Sequence, residues 1–105
     1  MVFDIDKAMK GKRSHWAVLG GTARTQVAVM VLGPGEASSL GMSVHPGEDQ
    51  VLYVNVGELC AEIGGEQLSL TTGQCVIVPA NTPHRFVNVG STPAYTLNIY
   101  APPAY

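Results

Sequence analysis

Charge is scarce in this sequence. Only 13% of its 105 residues are Asp, Glu, Lys or Arg, and the formal net charge is −2. No basic stripe exists to release counterions from a phosphate backbone, which argues against a nucleic-acid partner. The one cationic cluster, Lys7, Lys10, Lys12 and Arg13, is interleaved with Asp4 and Asp6 and reads as a solvated face. Long apolar runs are missing too. No segment approaches the ~20 residues of a membrane-spanning helix, and no apolar signal core stands near Met1. No membrane association and a cytoplasmic location are therefore the expectation. Cysteine is limited to Cys60 and Cys75, which are not closely spaced. Both are expected as small buried hydrophobes in a reducing compartment. Two catalytic signatures are absent. Gly33-Pro34-Gly35-Glu36 has no Lys-Ser/Thr after it and opens no helix, so it is a turn and not a phosphate cradle. No serine sits in a nucleophile elbow.

What remains is apolar and finely punctuated. Apolar residues make up 46% of the chain, enough for one domain of this length to bury a core of its own. Residues 1–13 allow one or two helical turns ending near Gly11. From Ser14 onward, short β-branched runs are cut by glycine and proline, a rhythm that predicts an all-β sandwich or barrel. Strands are expected at 15–19, 25–32, 38–44, 50–56, 58–63, 66–70, 74–78, 84–89 and 94–100. Gly64-Gly65 has the chemistry of a tight hairpin turn, and Pro102-Pro103 stops the last strand. The run from Gln26 to Leu32 is apolar on both faces, where a strand with one wet face would alternate. Its outer side (Val27, Val29, Val31), like Val51 and Tyr53 further on, needs a cover. Burial by a second copy predicts a homodimer; folding back of the N-terminal segment is the alternative.

The chain is organised around the stretch from Gly73 to Asn88. It reads as a short apolar strand (Val76, Ile77, Val78), a turn stiffened by Pro79 and Pro83, and a second strand that begins at His84. Alternation places His84, Phe86 and Asn88 on one face of that strand. One strand end thus offers an imidazole, a ring and an amide to the same space.

The spacing Gly73-x5-Pro79-x-Asn81-x2-His84-x3-Asn88 resembles the second sequence motif of the cupins. Asparagine replaces the usual glycine at position 81, and it is a tolerable residue at positive φ. The segment Ser43-Val-His45-Pro-Gly-Glu-Asp-Gln50, followed by Gly57, is similar in frame to the first cupin motif. Ser43 stands where that motif carries its first histidine, and Gln50 where it carries a glutamate. The resemblance spans about Gly33 to Tyr100 and implies a double-stranded β-helix, a jelly-roll-like cupin barrel over 14–100. The arm 1–13 and the tail 101–105 would complete a single domain, 1–105.

It also implies a divalent metal (Fe, Ni, Mn or Zn) held inside the barrel by His45, His84 and the amide oxygen of Gln50. With no anionic ligand, affinity would be low and the ion would keep its charge and open positions for a chelating molecule. Glu48 or Asp49 swinging in as a carboxylate would give a two-histidine, one-carboxylate set instead. Ser43, Phe86 and Asn88 are the expected substrate contacts, and the small oxygen-rich ligand is a sugar, keto acid or phenolic compound. Isomerisation, decarboxylation and dioxygen-dependent cleavage are all compatible with such a site. The competing expectation is a metal-free cavity or scaffold without turnover. His15 and the residues Trp16, Tyr53, Tyr95 and Tyr100 are expected at the edge, core, rim or interface.

Overall fold

The computed structural model describes residues 1–105. A short helix, α1 (Ile5–Met9), starts where the Asp4 carboxylate accepts the Lys7 amide at 3.0 Å, an N-cap for an otherwise orphaned donor. Eight strands follow: β1 (His15–Gly21), β2 (Gln26–Leu32), β3 (Asp49–Val56), β4 (Glu58–Ile63), β5 (Glu66–Thr71), β6 (Cys75–Val78), β7 (His84–Asn88) and β8 (Ala94–Ala101). They form a five-stranded sheet, β1-β2-β8-β3-β6, facing a three-stranded sheet, β5-β4-β7. Every named pair is antiparallel. This is the all-β, double-stranded β-helix architecture expected from the sequence.

Alternation decides which side chains meet between the sheets. Gln26, Ala28, Met30 and Leu32 of β2 point inward, as do Gln50, Leu52 and Val54 of β3. From the smaller sheet Leu59, Ala61 and Phe86 join Met30, Leu32, Leu52 and Val54 in one ten-residue cluster. The β4–β5 hairpin turns on Gly64 and Gly65, at φ 56° and 85°, the paired positive angles that glycine adopts without a Cβ penalty.

Three expectations are corrected. The strand expected at 38–44 is a loop, which lies along β7 with two isolated bridges, Ala37–Val87 and Ser43–His84, in place of a continuous ladder. The Phe86 amide donates to Ser38 Oγ (2.9 Å), so a side chain has taken the place of a ladder carbonyl. The outer face of β2 is covered in part by the chain itself, since Met9 of α1 packs with Val29 and Val31, flanked by Ile5 and Ala8. The Val29 and Val31 part of the dimer argument therefore falls away. Cys75 is exposed on the outer side of β6, and Cys60 is half-buried on β4, on the parity opposite to the buried Leu59 and Ala61. No helix is long and apolar enough to cross a membrane.

Candidate functional site

His84 and His45 are 39 positions apart by sequence number, and the β6–β7 turn brings them together. Asn81, at φ 61°, turns its amide to the His45 carbonyl at 2.7 Å. One residue earlier, the Ala80 amide donates to Asp49 Oδ1 at 2.8 Å. Ser43 and His84 then exchange both backbone hydrogen bonds, at 2.8 and 2.9 Å. Loop 43–49 is thus stitched to the turn and to the first residue of β7. The two imidazole centres lie 5.1 Å apart, tilted by 37°.

They face a cavity of about 370 Å³ between the sheets, lined also by Ser43, Gln50 and Phe86. His84 is 3% exposed, with Nδ1 2.9 Å from the Thr82 carbonyl. A carbonyl only accepts, so Nδ1 carries a proton, which makes Nε2 the lone-pair nitrogen of the neutral ring. Burial lowers the pKa of His45 below its ordinary 6.5; the neighbouring His84 lowers it further, and Glu48 opposes the shift. Both effects favour the neutral imidazole, the form that binds a metal.

The direction of the Gln50 amide follows from one carbonyl. Met30 O is an acceptor, so the Thr96 hydroxyl donates to it (3.1 Å). Thr96 Oγ1 then accepts from Asn98 Nδ2 (3.0 Å), which turns Asn98 Oδ1 towards Gln50 Nε2 (3.1 Å). Gln50 Oε1 is left buried with no hydrogen-bond partner. Asn55 Oδ1 shares that condition but belongs to a residue outside the cavity wall. A buried acceptor without a donor costs about 1–3 kcal/mol, so this oxygen, on a residue of the same cavity wall as the two imidazoles, is a candidate for a cation or a donor ligand.

Spacing and chemistry fit a metal ion. Two imidazoles bound through nitrogen at ~2.1 Å to one tetrahedral ion have ring centres about 5 Å apart, close to the separation found here. His45, His84 and Gln50 are the residues that would hold it. A carboxylate ligand does not join them. Asp49 caps the Ala80 amide, and Glu48 Oε2 accepts from the Gly47 amide instead. No cluster of three His, Cys, Asp or Glu suited to a metal occurs in the chain.

Of the expected ligand contacts, Ser43 and Phe86 line the cavity and Asn88 does not. The Asn88 amide donates to the Leu32 and Thr92 carbonyls (2.8 and 2.9 Å) and accepts from Gly90 (2.8 Å). It is a strand tie with all its capacity spent. The sequence reading missed Trp16, Asn98, Tyr100 and Tyr105, all part of the cavity wall. One signal was available: in β8 the polar residues Thr96, Asn98 and Tyr100 share one parity while Leu97 and Ile99 take the other. A polar set on the buried parity marks a lined cavity, not dry core. Tyr100 has its pKa pushed well up, by burial first and then by the Tyr105 phenol, so it remains a neutral hydroxyl. His15 also reaches the cavity rim, on an edge strand as expected.

Known proteins resemble this chain in sequence and in fold. The chain is 32% identical over 108 residues to the uncharacterized protein YrkC of Bacillus subtilis (strain 168), covering 97% of this chain and 57% of that protein. It spans about half the length of the curated relatives it matches. Among solved structures, BH2720 of Bacillus halodurans superposes with a TM-score of 0.88 at 29% identity, over 100% of this chain and 83% of that one. A Thermotoga maritima protein described as a predicted oxalate decarboxylase shares the fold at 21% identity and a TM-score of 0.68, over 93% of this chain and 74% of that one. A family model described as "Cupin domain" matches residues 28–100. Carrying that match on a closed pair of antiparallel sheets, the chain belongs to the cupin family.

Proposed function

We propose that this cupin binds one divalent metal ion through His45 Nε2 or Nδ1, His84 Nε2 and Gln50 Oε1, and presents it to a small oxygen-bearing molecule. The observation that carries the reading is an unpartnered Gln50 oxygen in the same cavity wall as two imidazoles 5.1 Å apart. When bound, such an ion supplies Lewis-acid polarisation of ligand oxygens. The chain's own contribution is positional. Asn98 aims Gln50, Thr82 fixes the His84 tautomer, and Phe86 keeps the cavity floor apolar. The metal is iron, nickel, manganese or zinc, and all three protein donors are neutral. No lysine or arginine lines the cavity, so an anionic ligand would depend on the ion for its charge partner.

The test is elemental analysis of protein purified without chelator, beside the His45→Ala/His84→Ala double variant. The expected outcome is near one equivalent of metal in the wild type and none in the variant. Equal trace amounts in both would sink the metal and leave a cupin that holds a small ligand in a metal-free cavity. Ser43, standing where the family motif has a histidine, is what favours that second reading.

The homodimer belongs to the same proposal. Beyond the reach of α1, the outer face of the larger sheet keeps a cross-strand row Val27–Ile99–Val51–Ile77, with Leu97, Tyr53 and Cys75 beside it. Ile77 is 63% exposed and Tyr53 37%. An apolar row four strands wide suits a second copy seated on it. Sedimentation at micromolar concentration should give twice the chain mass; a mass near 11.1 kDa would refute it.

A further inference from the structure

The segment after β8 does not run off into solvent. It folds back across the mouth of the cavity, and Gln26 holds it there. Gln26 Oε1 accepts from the Ala104 and Tyr105 amides (3.1 and 3.0 Å), and Nε2 donates to the Tyr105 carbonyl (2.6 Å). Gln26 is only 7% exposed, and all three hydrogen bonds of this buried amide go to this segment. The Tyr105 ring then meets three others edge-on: Trp16 at 5.0 Å, Tyr100 at 5.2 Å and His45 at 5.6 Å. These separations suit edge-to-face packing and leave no room for a ligand between the rings.

His45 and His84 are held by different means. His84 is tied to the Thr82 carbonyl. His45 is placed by ring packing, against His84, Tyr100 and Tyr105. Tyr100 is buried in β8, whereas Tyr105 is 62% exposed and held by the Gln26 side chain and its ring contacts.

We propose that residues 102–105 form a strap in which Tyr105 closes the cavity mouth and positions the His45 imidazole towards His84, with Gln26 as the latch. Tyr105 is a positioning residue and touches no reacting atom. The orientation of one ligand nitrogen, and access to it, are set by a ring from outside the barrel strands. This rests on the proposed function only for its metal arm; the access arm is independent of any metal.

The experiment compares the wild type with Tyr105→Ala, Tyr105→Phe and Gln26→Leu. In metal-free protein, diethyl pyrocarbonate modification of His45 is followed by peptide mass spectrometry. Trp16, the only tryptophan, reports docking of the strap by its emission. Tyr105→Ala and Gln26→Leu should speed His45 modification severalfold and shift Trp16 emission to the red, while Tyr105→Phe behaves as wild type. In the metal arm, zinc affinity should fall by roughly tenfold in Tyr105→Ala and be restored in Tyr105→Phe, the scale seen when a partner that orients a ligand is removed. Unchanged His45 modification in Tyr105→Ala, with Trp16 emission shifted, would overturn the strap. A wild type that takes up no zinc, but whose His45 modification still responds to Tyr105→Ala, sinks the metal reading and leaves the strap standing.

Discussion

Ser43→His should raise zinc affinity by about tenfold or more, about 1.4 kcal/mol. Ser43 pairs directly with His84 through two backbone hydrogen bonds, so the two side chains stand on the same face of the bridge. An imidazole at 43 would reach the space that His45 and His84 already share. The serine hydroxyl in its place bonds weakly to Ser39 Oγ at 3.2 Å and contributes no lone pair of comparable strength. Titration with a competing chromophoric chelator measures the change. The added affinity should vanish again in Ser43→His/His84→Ala, which keeps the new ring and removes its partner. If Ser43→His changes only thermal stability, the three donors do not converge on an ion.

Phe86→Ala should cost about 3–5 kcal/mol, the range for emptying a buried aromatic site. Against a total stability of about 5–15 kcal/mol for a small domain, that is enough to leave a large unfolded fraction on warming. Phe86 is 1% exposed, belongs to the central cluster, and supplies the cavity wall beneath His84, with ring centres 6.1 Å apart. Its loss therefore removes both packing and the apolar floor. Thermal unfolding followed by circular dichroism checks it, with a midpoint expected to fall by roughly 12 °C or more. Val89→Ala, one residue past the same strand and 60% exposed, is the control and should stay within about 0.5 kcal/mol. Equal small effects in both would mean that the two sheets do not close on Phe86.

How much of this was legible in the chain depends on the range of each interaction. The strand pattern was legible because alternation and glycine or proline punctuation are local. The 64–65 hairpin is the clearest case, since two consecutive positive φ angles are a demand that glycine meets by itself. The segment 38–44 failed for the opposite reason. Its composition suits a strand, but Ser38 Oγ captures the Phe86 amide from across the molecule, and no local rule anticipates a donor from 48 residues away. The β2 face was legible as needing a cover, though not as to which cover. Met9 settled Val29 and Val31, because a five-residue helix with one apolar side reaches that far.

The candidate site divides in the same way. His45, Gln50 and His84 were marked by the resemblance of their segments to the two cupin motifs. Asn88 was placed on the right face, but its role depended on three partners from β2 and the 90–92 turn. Asn98 and Tyr100 were legible in the parity of β8, whereas Trp16 and Tyr105 are brought to the cavity by long-range contacts.

By itself, then, the amino-acid order determined an all-β chain, because periodicity and turn chemistry act over a few residues, and its likeness to the two cupin motifs pointed to the barrel and to His45 and His84. Only the tertiary structure decided that the Gln50 oxygen stands unpaired, that Asn88 is a tie, and that Tyr105 leans on His45. Those outcomes depend on which donors and rings meet across the sheets, a matter of three-dimensional register that no local pattern encodes.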